Sequence, residues 1–181
     1  KQASLSALAE IGDASVIPEF LNLLKGSDNS IKSSVLYALN KFRDESVTKE
    51  LVKVMKAEPI AGLRVQATGI LANYVDTKLI PDFLEVLRKD KDLDTCRVAL
   101  DALIRFRNDK TIAPVLIELY KTVPPPIQPN VLGAIQSLGD RAVMPQLLTI
   151  LEQETNYDTF NTILGTVQGL AGGQRFAPQA M

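Results

Sequence analysis

The sequence contains no histidine and no tryptophan, and its one cysteine is Cys96. Without imidazole, the commonest general base and the commonest metal ligand are gone. A single cysteine builds neither an internal disulfide framework nor a thiolate zinc cluster. A charge surplus is missing as well, since 20 Lys plus Arg stand against 21 Asp plus Glu for a net charge of −1. Dedicated nucleic-acid or anionic-membrane binders carry a basic surplus, so neither class of partner is expected. No apolar run approaches the roughly 18 to 20 residues that span a bilayer. No glycine-rich phosphate loop and no signal peptide are present. The 181 residues are 46% hydrophobic and 23% charged, which excludes wholesale disorder and collagen-like chains. The chain opens on Lys1, inside the helical pattern KQASLSALAEIGD. A piece of a longer protein is therefore expected, in a cytoplasmic setting.

The chain repeats itself. LAEIGDASVIP returns as LNKFRDESVTK, LANYVDTKLIP, LIRFRNDKTIAP and IQSLGDRAVMP. An anchor column runs Leu8, Leu39, Leu71, Leu103, Ile135, Val167, in one step of 31 and four of 32 residues. One residue earlier stand Ala7, Ala38, Ile70, Ala102, Ala134 and Thr166. Three residues later stand Ile11, Phe42, Tyr74, Phe106, Leu138 and Leu170. Thirteen after the anchor come Leu21, Val52, Leu84, Leu116 and Leu148, and sixteen after it Leu24, Met55, Leu87, Leu119 and Leu151. Spacings of three and four place these residues on helical stripes.

Each unit reads as two helices. Asp13, Asp44, Asp76, Asn108 and Asp140 stand where N-caps belong, ready to accept from free backbone N–H groups of a first turn. Pro18, Pro81, Pro114 and Pro145 follow, slightly later than the position proline prefers. That predicts an offset start or a bend. Helices are expected at 1–12, 14–25, 29–43, 45–57, 60–75, 77–89, 92–107, 109–122, 126–139, 141–153 and 157–171. The segment GGQRFAPQAM starts a further turn, with Phe176 and Pro178 near the columns of Ile17 and Pro18.

The pattern A-L-x-x-[IFYL]-G-D-x-x-[AV]-[IV]-P-x-[LF]-L-x-L-L resembles a HEAT repeat, in the short bacterial form named after phycobilisome lyases. It is clearest in Ala7, Leu8, Ile11, Gly12, Asp13, Val16, Ile17, Pro18, Leu21 and Leu24, and again in Leu138, Gly139, Asp140, Val143, Met144, Pro145, Leu148 and Leu151. The resemblance implies an all-α chain: a right-handed α-solenoid of about five full repeats of 31–32 residues, with partial units at both ends, as one array over 1–181. It also implies an outer layer of first helices and a concave face of second helices. Repeats of this kind carry a basic residue early in the second helix. Lys1, Lys32 and Arg64 fit, while Cys96, Gln128 and Phe160 do not, so that ladder should fade toward the C-terminus.

Catalytic groups are scarce. Cys96 starts a helix next to Arg97, which could activate it, but it neighbours an apolar column and burial is the simpler account. The aspartates lie one repeat apart, roughly 9–10 Å at helix packing distance, too far for paired acid–base work. The mixed run KDKDLD reads as a solvated turn, and PPP at 124–126 as a stiff turn that starts a helix. No cofactor and no metal are expected. Surface contact is left. Two before the anchor stand Tyr37, Gly69, Asp101, Gly133 and Gly165; one after it Asn40, Ala72, Ile104, Gln136 and Gln168; two after it Lys41, Asn73, Arg105, Ser137 and Gly169; five before it Ser34, Gln66, Val98, Asn130 and Thr162. The glycines are costly in a helix, by about 1 kcal/mol each against alanine. Close packing of the neighbouring helix is the preferred account of them, and room for a partner the sharper one.

Charge also thins along the chain, to seven charged residues among the 61 of 121–181. The expectation is a non-catalytic protein- or peptide-binding scaffold, with Tyr37, Lys41, Asn73, Asp101, Arg105 and Gln136 as contact residues on the concave face. A bilin-chromophore lyase subunit, which the resemblance allows, and a structural spacer arm are the alternatives. The C-terminal part could equally pack against further repeats or domains.

Overall fold

Aspartate caps start the first helix of most units. The side chains of Asp13, Asp44, Asp76 and Asp140 accept from the backbone N–H of Ser15, Ser46, Lys78 and Ala142, at 2.9, 2.7, 3.0 and 3.2 Å. The expected cap Asn108 does not act. Asp109 replaces it, accepting from Thr111 N–H at 2.9 Å. The turn before that cap is one residue longer, within an unchanged repeat of 32: Pro114 stands eleven residues after its anchor, where Pro18, Pro81 and Pro145 stand ten after theirs. The cap has moved with the insertion. The late prolines reflect an offset start. A 3-10 turn follows the cap at Ala14–Val16, Thr77–Leu79 and Arg141–Val143, and the α-helix begins after it with proline second. There the missing N–H is no loss.

The computed structural model describes residues 13–26 and 28–172. The expected helix 1–12, with Leu8 and Ile11, and the segment holding Phe176 and Pro178 lie outside the described residues. Ten α-helices result, and among the described residues there is no strand. They are α1 (Ile17–Gly26), α2 (Asn29–Leu39), α3 (Glu45–Ala57), α4 (Ala61–Ala72), α5 (Ile80–Lys89), α6 (Leu93–Ile104), α7 (Ile112–Leu119), α8 (Gln128–Leu138), α9 (Met144–Gln153) and α10 (Tyr157–Leu170). The PPP segment does form the entry to a helix, as a 3-10 turn Pro125–Ile127 leading into α8. Each odd helix packs on the even helix that follows it, and the even helices pack in series, α2 on α4, α4 on α6, α6 on α8 and α8 on α10.

The anchor column is the spine of this packing. Leu39, Leu71, Leu103, Ile135 and Val167 are each 0% exposed. Ala38, Ile70, Ala102, Ala134 and Thr166 are buried beside them, as are Phe42, Phe106, Leu138 and Leu170. Tyr74 is half-buried because its hydroxyl turns outward to donate to the Phe42 carbonyl at 2.8 Å. On the first helices the expected column is off by one. Leu84 and Leu116 are buried, but Leu21 and Val52 are only half-buried and Leu148 is exposed. The fully buried residue stands one position earlier, at Phe20, Leu51, Phe83 and Leu147. Leu116 keeps the expected place because of the inserted residue. Adjacent apolar residues such as Phe83–Leu84 and Leu147–Leu148 both fit a stripe with the residue at sixteen, by a spacing of four or of three.

Left-handed backbone follows α4 and α8. Gly139, at φ 67°, ends α8, its N–H reaching the Gln136 and Ile135 carbonyls. Val75, in the equivalent place after α4, adopts φ 50°. A β-branched residue there is strained by roughly 1–2 kcal/mol.

The register makes a sharp contrast. Leu147→Ala is expected to cost about 2–5 kcal/mol in chemical denaturation, as a large-to-small change in a packed core. Leu148→Ala, one residue on and 38% exposed, should cost far less, about 0.5 kcal/mol.

Candidate functional site

Two kinds of surface could carry function: the edge where each hairpin meets the next, and the face of the even helices. The edge carries the expected basic ladder. Lys32 of α2 reaches the Glu58 carboxylate at 2.9 Å. One unit on, Arg64 of α4 grips Asp90 with both Nε (2.7 Å) and Nη2 (2.9 Å), and donates to the Glu58 carbonyl at 2.9 Å. Each cation thus ties its helix to the turn of the following hairpin. The ladder ends with Cys96, buried, whose thiol donates weakly to the Asp90 carbonyl at 3.6 Å. Burial first, then the Asp90 and Asp92 carboxylates, push that thiol up to about 11. It is therefore not a ready nucleophile.

The turn KDKDLD is more ordered than a solvated run of charges. Asp90 accepts from Arg64 and from Asp92 N–H, and Asp92 caps α6 through Thr95 N–H, each of the last two at 2.9 Å. A cavity of about 250 Å³ lies here, lined by Lys56, Arg64, Glu85, Lys89 and Asp90. Its charges are satisfied internally. Lys56 pairs with Asp82 at 2.6 Å and with Glu85, and Lys89 with Glu85 at 2.6 Å. Hydrogen bonds from Lys56 and Lys89 hold the Glu85 carboxyl down at about 2. Among the described residues, no three of His, Cys, Asp and Glu converge as metal ligands would.

The expected contact residues lie on the even helices and their ends, and all six are exposed. The side chains of Tyr37, 65% exposed on α2, and Lys41, in the turn after it, make no hydrogen bond or ion pair among the described residues. Asn73 and Arg105 come together: Arg105 donates to the Asn73 side chain at 3.2 Å and to the Ala72 carbonyl at 3.4 Å. From the other side Arg43 donates to the Asn73 carbonyl at 3.0 Å and stacks over the Tyr74 ring at 5.1 Å. The C-terminus of α4 is thus bracketed by two arginines, one from each neighbouring unit, which suits the negative end of its dipole. Asn73 and Arg105 have a structural job there. Gln136 lies against the next helix, where a Cβ on Gly169 would stand 2.2 Å from its Nε2.

Asp101 lies elsewhere, in a groove of about 350 Å³ between α6 and α8. Leu100, Ile104 and Ala134 supply apolar surface, and Arg97, Asp101, Asn130 and Ser137 the polar groups. Asn130, Gly133, Ser137 and Ile104 belong to the columns flagged by the sequence. Arg97 and Pro129, six residues before the anchors, were not flagged; Arg97 attracted notice only as a neighbour of Cys96.

Close packing accounts for Gly169, against Gln136, but not for the other glycines of this face. A Cβ on Gly133 or Gly165 would meet nothing within 4 Å, and one on Gly69 would touch Val98 at an ordinary 3.9 Å. The preferred expectation of a helix packed onto these glycines is thus not met at Gly133 and Gly165. Gly133 instead lines the groove and leaves it open.

No protein-family model matches the chain, and no curated protein matches it.

Because nothing fills the space beside Gly133, Gly133→Ala should raise stability by about 1 kcal/mol, the ordinary gain of alanine over glycine within a helix. A rise in melting temperature would show it. A fall would mean that the backbone there packs more tightly than described.

Proposed function

We propose that the chain is a HEAT-type, right-handed α-solenoid of about five full repeats of 31–32 residues with partial units at the ends, and that it is a non-catalytic scaffold that binds a protein or peptide on the face of its even helices. Its support is the strict spacing of the anchor column, the serial packing of the even helices, and the hairpin order of the ten helices. The resemblance to HEAT repeats assigns that face to the concave side.

One observation carries the functional reading. The α6–α8 groove is lined by a helical glycine that no neighbour within 4 Å requires. Mid-helix glycine lowers stability, and here the fold takes no packing advantage from it. A partner that needs the space accounts for it. A spacer arm leaves the glycine unexplained. A chromophore lyase subunit finds no support in Cys96, which is buried with a thiol held protonated. Amide and hydroxyl groups on this face suit contact with a peptide backbone without burying charge.

A photoreactive side chain placed at position 133 is expected to cross-link a protein or peptide partner in native extract. The same group at Lys49, exposed on α3, should give none of those adducts. Equal adducts from both positions, or none from 133, would contradict the reading.

A further inference from the structure

Asp101 is an unusual charge. It stands in mid-helix with an arginine four residues away on each side, Arg97 and Arg105. Pairs at that spacing ordinarily meet on a helix surface. Neither does so here. Arg97 turns back to Asp94, at 2.9 Å. Arg105 turns across to Ala72 and Asn73 on α4. The Asp101 carboxylate is left with no hydrogen bond and no ion pair among the described residues, on the wall of the α6–α8 groove. Among the described residues the one other charged residue lining the groove is Arg97, which pairs with Asp94. The groove therefore presents a single uncommitted negative charge.

The rest of the lining fits an extended peptide. Leu100, Ile104 and Ala134 offer apolar contact. The Ser137 hydroxyl donates to the Gly133 carbonyl at 2.8 Å, which leaves its oxygen free to accept from a peptide N–H. The Asn130 side-chain amide makes no hydrogen bond among the described residues, so it can both donate and accept. The volume of about 350 Å³ suits a few residues only. We propose that this groove takes a short extended peptide segment bearing one lysine or arginine, its cation on Asp101 and its backbone on Asn130 and Ser137. Charge complementarity of this kind selects partners and suppresses those of like sign. The proposal rests on the scaffold reading above and names the partner's chemistry.

The test is selection of displayed random short peptides on the purified full chain, with variants compared by fluorescence anisotropy. Enriched peptides should share a Lys or Arg at one position. Asp101→Asn should weaken them about tenfold or more, the loss expected for a hydrogen bond to a charged group. Asp101→Arg should enrich acidic peptides instead. Gly133→Leu should abolish binding of the enriched peptides while melting no lower than the parent chain. If the enriched peptides depend on Gly133 but share no basic residue, or bind Asp101→Asn unchanged, the basic-segment proposal is overturned and the scaffold reading stands. If nothing is enriched, or Gly133→Leu leaves binding intact, both are overturned.

Discussion

Burial of one aliphatic side chain per 32 residues holds this molecule together. Leu39, Leu71, Leu103, Ile135 and Val167 sit at the same place on successive even helices, each out of contact with water. Fully burying a side chain of that size contributes about 1.5–3 kcal/mol. More important is where the burial happens. Each helix that carries an anchor packs on its own hairpin partner and on the adjacent even helices, so the burial is shared between hairpins. Stability in such an array is shared between neighbours instead of drawn from one central core. The other devices work at the same junctions: the Arg64 grip on Asp90 and the arginine bracket around the end of α4 both link one unit to the next.

Serial packing also shapes the face available for function. The even helices lie side by side, and the gap between two of them depends on the residues two before and two after the anchor. Where these are large or committed to neighbours, as with Arg105, the gap is closed by structure. Between α6 and α8 they are Asp101, Arg105, Gly133 and Ser137; Arg105 turns away to Ala72 and Asn73, and the other three line a gap that stays open. Because Arg97 and Arg105 turn away to Asp94 and Asn73, the Asp101 carboxylate is left unpaired at this gap.

Much of this was legible in the sequence, because the repeat multiplies each weak signal. The helix order, the even-helix columns and most caps follow from spacing alone. Three things did not. The first-helix column slipped by one, since Phe83–Leu84 and Leu147–Leu148 offer two apolar residues where a helical stripe accepts either. Asn108 was taken for a cap because one inserted residue moved the role to Asp109. A second set of caps went unseen. Asp28, Asp92 and Asn156 stand eleven before their anchors and cap α2, α6 and α10, but Ile60 and Pro124 hold that place in alternate units and interrupt the pattern. For the candidate site, the columns named the face but not which gap on it is open. That depends on where Arg97 and Arg105 point, and neither pairs with Asp101 at the i,i+4 spacing where such residues ordinarily meet.

The account turns on nearest-neighbour packing through the anchor column, and hydrogen exchange of a Leu103→Ala variant tests it most directly. Leu103 sits on α6, which packs against α4, α5 and α8. Protection should fall in α6 and in those neighbours, while α1 and α10 keep the protection of the parent chain. An equal loss across all ten helices would show one indivisible core and contradict the account.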